Sequence, residues 1–243
     1  MSELTLSFVG TGNAFAPGGL CWNGFLVNGR YLFEAPPQAL MSLRHEGLDP
    51  NDLDAVIVSH HHADHFLGLP FLFLYWKYQG RTRPVKVVGP PETKDVMEQV
   101  TERTYPSLFE ASYEVEWVVA EPGKDLRLNG LQIQPVAVKH DDKLNMSLGY
   151  ACALNGKRFG YTGDTAICDG VLDLARHSQV LVSECASRSG NVPIHMNLVD
   201  DMPVVRAAMG GNSTLLLTHI DSDVDSNGLP NTLVARDHET YRF

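Results

Sequence analysis

The chain has 243 residues, 44% of them hydrophobic and 20% charged, a balance that excludes a disordered segment and allows a sizeable buried core. A formal net charge of −10 works against broad attraction to nucleic acid, because phosphate binding relies on lysine and arginine displacing counterions; bound cations or a local basic patch would soften that bias. The opening MSELTLSFVG has no basic stretch followed by an apolar one, and the longest strongly apolar run, Phe66 to Trp76, is too short to cross a bilayer and contains Pro70, so neither a secretory signal nor a membrane span is predicted.

The first elements are β-rich runs at Leu4 to Val9, Gly24 to Val27 and Tyr31 to Glu34, separated by glycine-rich and Asn-Gly turns. Pro36 and Pro37 suit the first turn of a helix running toward His45, where no amide hydrogen is needed. A short buried strand, Ala55 to Ser59, follows. After it come a histidine cluster, a helix from about His65 to Tyr78, a strand at Val85 to Val88 and a helix after Pro91. Further strands fit Tyr113 to Val119, Leu131 to Lys139, Ser147 to Leu154 and Arg158 to Tyr161. The chain closes with a helix at Gly170 to Arg176, a strand at Val180 to Ser183, a helix at Leu198 to Met209 and a strand at Thr214 to Leu217. Both halves run strands first with helices interleaved later, and no repeat, low-complexity run or long linker divides them. This predicts one α/β domain over residues 1–243, a four-layer αββα sandwich with internal pseudo-symmetry.

The densest chemical signal is Ser59-His60-His61-His62-Ala63-Asp64-His65, directly after the apolar Ala55 to Val58. In extended backbone His60 and His62 point the same way and can share one metal, whereas His61 points away. Asp64 and His65 fall where the chain turns into the next helix, within reach of a second ion. A buried strand that delivers four such ligands is costly unless something coordinates them, which weighs against a solvated histidine patch. Imidazole and carboxylate suit zinc, manganese, iron and nickel alike, so donor type leaves the metal open. Cys21, Cys152, Cys168 and Cys185 are scattered with no Cys-x-x-Cys pair, which fits reduced thiols in a cytoplasmic protein.

His60-x-His62-x-Asp64-His65 resembles the signature of the metallo-β-lactamase superfamily, and Phe66-Leu67-Gly68-Leu69-Pro70 resembles the continuation found in its ribonuclease Z-like branch. The other family motifs recur in order: Val9-Gly10-Thr11-Gly12, then Val138-Lys139-His140 followed by Ser147-Leu148-Gly149-Tyr150, then Tyr161-Thr162-Gly163-Asp164-Thr165, then Leu217-Thr218-His219. Each later motif is weak alone, and their common order carries the resemblance over nearly the whole chain. The resemblance implies two divalent transition-metal ions, zinc foremost and manganese or iron as alternatives. By it, His60, His62 and His140 bind one ion, Asp64, His65 and His219 bind the other, and Asp164 bridges them. It further implies a bridging hydroxide as nucleophile, with Asp64 also accepting a proton. Glu184 in Val182-Ser183-Glu184-Cys185-Ala186 and the later His195 stand at places where ribonuclease Z-like enzymes pair a glutamate with a proton-donating histidine. Here Met196-Asn197 follow His195, where that branch usually has serine and threonine.

These readings favour a phosphodiesterase acting on a small-molecule or nucleotide phosphodiester, because a proton from His195 aids an alkoxide leaving group. A ribonuclease Z-type tRNA 3′-processing role is disfavoured, since no glycine- and proline-rich basic arm is found between Asp164 and His219. The alternative within the same fold is a thioester or lactone hydrolase, in which the Glu184–His195 pair would be incidental. No serine or cysteine nucleophile is needed, and the Gly-x-Ser-x-Gly elbow of serine hydrolases is absent. A diiron redox role is disfavoured because His62 stands where redox members of the superfamily carry glutamate. Phe66 to Trp76 is apolar around more than one helical face, which core packing explains and which a homodimer interface would also explain.

Overall fold

The computed structural model describes residues 3–190 and 192–243. The chain opens with strands β1 (Thr5–Gly10), β2 (Gly24–Val27) and β3 (Tyr31–Phe33), helix α1 (Ala39–His45) and strand β4 (Ala55–Ile57). Helices α2 (Ala63–Phe66) and α3 (Leu69–Tyr78), strand β5 (Val85–Gly89), helix α4 (Thr93–Thr104) and strand β6 (Val115–Val119) complete the first half. The second half runs through strands β7 (Leu126–Leu128), β8 (Leu131–Ala137), β9 (Leu148–Leu154) and β10 (Lys157–Tyr161), helix α5 (Asp169–His177), strand β11 (Val180–Cys185) and helix α6 (Met202–Ala208). Strands β12 (Thr214–Ile220), β13 (Thr232–Val234) and β14 (Thr240–Arg242) end it. They form two seven-stranded sheets, ordered β14-β1-β2-β3-β4-β5-β6 and β13-β12-β11-β10-β9-β8-β7.

Each sheet has an apolar face to bury, and the two faces bury each other. Phe8, Phe25, Phe33, Tyr150, Phe159 and Tyr161 meet in the central core, with the Phe25 and Phe33 rings stacked at 5.0 Å and Tyr161 edge-on to both. β8 shows the rule residue by residue: Leu131, Ile133 and Pro135 are buried while Gln132 and Gln134 face out. β4 and β11 are buried on every residue, as expected of parallel strands covered on both faces. A second core, with Leu43, Leu72, Phe73, Trp76 and Met97, lies between the first sheet and α1, α3 and α4. A third, with Leu174, Leu181, Met202, Val205 and Leu215, lies between the second sheet and α5 and α6. The result is the expected four-layer αββα sandwich.

The predicted helix from His65 to Tyr78 is two helices. Gly68 interrupts it by pressing against the Ala35–Pro36 backbone: its N–H donates to Ala35 O at 2.7 Å, and a Cβ there would stand 2.1 Å from Pro36 O. Pro70 then sits in the first turn of α3, where its missing N–H costs nothing. The helix expected over Leu198 to Met209 is shorter, α6 alone. Asn197 and Asp201 hold residues 197–201 in a turn, through Asn197 N to Asp201 Oδ2 and Asp200 N to Asn197 Oδ1, both 2.8 Å. β7, β13 and β14 were not expected.

Phe66, Leu69, Leu72, Phe73 and Trp76 are buried, while Phe71 and Tyr78 remain 42% and 66% exposed. The apolar stretch is thus satisfied within the chain, and the homodimer reading loses the support it drew from it. Among the described residues no helix is long and apolar enough to cross a membrane.

Because a methyl group at Gly68 would collide with fixed backbone, Gly68→Ala is expected to destabilise the fold by about 1–3 kcal/mol in urea denaturation. Gly211→Ala, where an added Cβ meets nothing within 4 Å, should stay within about 0.5 kcal/mol of the parent.

Candidate metal centre

Five strands deliver the candidate residues from the same end. The chain leaves β4 into His60 and His62, β8 into His140 and β10 into Asp164, while Glu184 and His219 lie in the last residues of β11 and β12. The carboxyl ends of parallel strands are where open α/β sheets build their sites. α2 begins at Ala63, so Asp64 and His65 occupy a short helical turn directly behind the two histidines.

Two local distortions aim the side chains. The β11–β12 register pairs Glu184 with Thr218 but Cys185 with Ile220, so His219 is the extra residue of a bulge; its φ of +50° is strained for a residue with a side chain. Gly163 has φ +58°, and a Cβ there would lie 2.5 Å from Leu148 O, so only glycine lets the Asp164 loop close onto Ser59 and Leu148.

Asp164 Oδ2 is the centre of the cluster. It lies 3.2 Å from the Nε2 atoms of His65 and His219, 3.9 Å from His60 Nε2 and 4.0 Å from His140 Nε2. On one side, His140 Nε2 and His62 Nδ1 approach to 3.1 Å beside His60. On the other, Asp64 Oδ2 stands 3.4 Å from His65 Nε2 and 3.6 Å from His219 Nε2. Within each of the sets His60–His62–His140, His60–His65–Asp164 and Asp64–His65–His219, one potential ligand atom per residue lies within 4.8 Å of the others. All seven predicted residues are therefore brought together. His61 is not: its Nε2 meets Thr93 Oγ1 at 2.8 Å and its ring packs on Phe66, as its alternation predicts.

The donor set fits a cation. His60 Nε2, both ring nitrogens of His65 and of His219, and Asp164 Oδ1 are buried without a hydrogen-bond partner among the described residues. Each such atom costs about 1–3 kcal/mol if left unsatisfied. The outer nitrogens of two other rings are committed: His60 Nδ1 to Ser59 Oγ at 2.8 Å and His140 Nδ1 to Ile194 O at 2.9 Å. Two nitrogens bound at 2.0–2.1 Å to one tetrahedral ion sit roughly 3.3 Å apart, close to the His62–His140 spacing.

The electrostatics follow from burial and crowding. Burial, followed by the neighbouring His65, holds His60 well below the usual imidazole range. Burial alone would raise Asp164, but His219 and His65 outweigh it and hold the carboxylate well below its usual range. Asp64 is likewise lowered, burial being outweighed by the neighbouring His219 and His65 rings.

His195 lies over this cluster, its ring stacked on His219 at 5.5 Å. Its Nδ1 meets Glu184 Oε1 at 2.9 Å. Glu184 is itself fixed: Oε1 accepts Thr165 N at 2.6 Å, and Oε2 accepts Ala186 N and Met196 N. Burial pushes His195 down, yet the hydrogen bond and charge of Glu184 raise it to about 9; burial also raises Glu184. His195 is close enough to His140 and Asp164, or to Glu184 and His219, to complete another metal-ligating set. Its Nδ1 is taken by Glu184, so we read it as the partner of that carboxylate.

Sequence reasoning missed Glu34. It is fully buried at the end of β3 with φ +62°, accepts Ser59 N with both oxygens and stands 3.6 Å from His65 Nδ1. The available signal was a carboxylate closing the apolar run Tyr31 to Phe33.

Two face-packed sheets with this histidine and aspartate cluster at one end define a hydrolase of the metallo-β-lactamase fold. Residues 29–220 match the beta-lactamase superfamily domain, and the chain belongs to that superfamily. Over 171 residues it is 26% identical to a ribonuclease Z of Methanosarcina acetivorans, covering 69% of this chain and 54% of that protein, so it spans about half the relative's length. It is similar in fold to the metallo-beta-lactamase fold protein YhfI from Bacillus subtilis, with a TM-score of 0.81, 18% identity and full coverage of both chains. It is also similar in fold to a diphosphatase from the PhnP family, with a TM-score of 0.79, 22% identity and coverage of 99% of this chain and 98% of that one.

Because Asp164 faces every ligand set and His61 faces none, Asp164→Ala is expected to abolish most retention of divalent metal, whereas His61→Ala should keep nearly all of it. Elemental analysis after mild purification reads the difference, and equal losses would contradict the assignment.

Proposed function

We propose that this hydrolase is a dinuclear metal-dependent phosphodiesterase acting on small-molecule or nucleotide phosphodiesters. In this reading His60, His62 and His140 hold one ion, Asp64, His65 and His219 the other, and Asp164 both. Two such ions, zinc foremost with manganese or iron also suited to the donors, would lower the pKa of an attacking water and stabilise phosphoryl oxygens.

The residues supply the rest. Asp64, buried in part and held ionised, accepts the proton of the attacking water. Glu184 fixes His195 through Nδ1, which leaves Nε2 as the atom that donates to the departing oxygen. The Glu184–His195 bond beside the cluster is the observation that carries the reading, because an alkoxide leaving group needs a proton and a thiolate or an activated ester needs it less. A thioester hydrolase, which expels a thiolate, would leave that pair with little to do, whereas a lactone hydrolase would use it as a phosphodiesterase does. The likeness to a diphosphatase supports phosphorus–oxygen chemistry by analogy of fold.

Precursor tRNA is the disfavoured substrate. Between Asp164 and His219 the described residues form α5, β11, α6 and their connections, with no long basic excursion, and the formal charge is −10. A cytoplasmic location fits four cysteines that are all free.

His195→Ala is expected to retain metal and fold, to lose about 10²–10⁴-fold in rate on an unactivated alkyl phosphodiester, and to keep most activity on a nitrophenyl phosphodiester. Equal sensitivity of both substrates would remove His195 as the acid. Efficient, site-specific cleavage of a precursor tRNA would overturn the preference for small substrates.

A further inference from the structure

An imidazole that ligates a metal through one nitrogen needs an acceptor for the proton on the other, which fixes tautomer and ring orientation. For His60 the partner is Ser59 Oγ, and for His140 it is Ile194 O. His62 is different in kind. Its side chain is 34% exposed, against 0% to 1% for His60, His65, His140 and His219, so it is held by ring contacts to His60 and His140 on one side and open to solvent on the other. Its Nδ1 is the inward atom, facing His140 Nε2. Its outward Nε2 lies 3.4 Å from Asp141 Oδ2. That carboxylate is itself oriented, since its other oxygen, Oδ1, accepts Lys143 N at 2.9 Å.

We infer that Asp141 is a positioning residue for His62: it accepts the Nε2 proton and thereby turns the Nδ1 lone pair toward the ion shared with His60 and His140. The inference rests on the dinuclear reading above. Because Asp141 follows His140 directly, one stretch of backbone delivers a ligand and the support of the neighbouring ligand. Its effect is confined to one ion, since the Asp64–His65–His219 set makes no contact with Asp141 among the described residues.

The test is metal affinity of the intact protein, by chelator competition with zinc and by the visible spectrum of the cobalt-loaded form. Asp141→Ala is expected to weaken one ion by about 10–100-fold, leave the other unchanged and leave the urea midpoint of the metal-free protein unchanged. Asp141→Asn, which keeps an oxygen acceptor, should recover part of the loss. Asp142→Ala removes the exposed charge next door and should bind both ions as the parent does. Parent-like affinity of both ions in Asp141→Ala, or equal weakening by Asp141→Ala and Asp142→Ala, would overturn the positioning role. A parent protein that takes up no ion, or a His62→Ala variant that keeps both, would instead overturn the metal reading on which the inference stands.

Discussion

A buried carboxylate with five histidine nitrogens within 4.0 Å of one of its oxygens is the constraint around which this molecule is organised. Asp164 is excluded from water, as are His60, His65 and His219, and charges or polar atoms so placed are tolerated only when something compensates them. Hydrogen bonds within the cluster do not do so, because several inward-facing nitrogens have no partner. A cation held among the Nε2 atoms of His60, His65 and His219 and the Asp164 carboxylate would do so from one side. No single element could assemble the set, since its members arrive from β4, α2, β8, β10 and β12. The face-to-face packing of two sheets holds those ends in register, so the aromatic core of Phe25, Phe33 and Tyr161 is as much a condition of the site as the ligands are.

Strain is concentrated in the same place. His219 and Glu34 carry side chains at positive φ, and each borders the cluster, one as a candidate ligand and one behind His65. Conformations of this kind cost on the order of 1–3 kcal/mol and persist where the surroundings over-determine them. Asn23 shows how this is done: it donates to the Tyr161 hydroxyl at 2.9 Å and accepts from Thr218 Oγ1 at 2.6 Å, tying the first sheet to the strand that carries the bulge. The stability of the central core thus supports a locally unfavourable backbone at the site.

Much of this was legible in the residues, for identifiable reasons. The seven candidate ligands stand in ordered motifs whose spacing reflects strand ends, and the alternation around His61 matches its turning away from them toward Thr93. The long strands β8, β9 and β10 announce themselves by apolar runs and alternation. The helix break at Gly68 was not legible, because it depends on the backbone of Ala35 and Pro36 arriving from another part of the chain. β13 and β14 have three residues each, too few for any period to show, and form only because an edge is there to receive them. β7 had a readable signal in the Asn129-Gly130 turn that joins it to β8, which its short apolar content masked. Glu34 offered only a carboxylate closing an apolar run, and Asp141 not even that, because a residue that stands behind a histidine has no spacing rule, only a three-dimensional neighbour.

The proposed proton donor and the candidate ligand set are mechanically one unit. Glu184 holds the His195 ring at Nδ1 and the following backbone at Met196 N, while His140 Nδ1 donates to the carbonyl of Ile194, the residue just before. The loop bearing His195 is therefore fastened on one side to a buried carboxylate and on the other to a candidate metal ligand. His140 must keep its proton on Nδ1 to make that bond, which frees Nε2 toward Asp164 and the neighbouring His62. The tautomer that suits a ligand is the one that seats His195. A general acid gains most when its distance from the leaving atom is set before the reaction begins, and in the proposed reaction Glu184 and His140 would set it for His195.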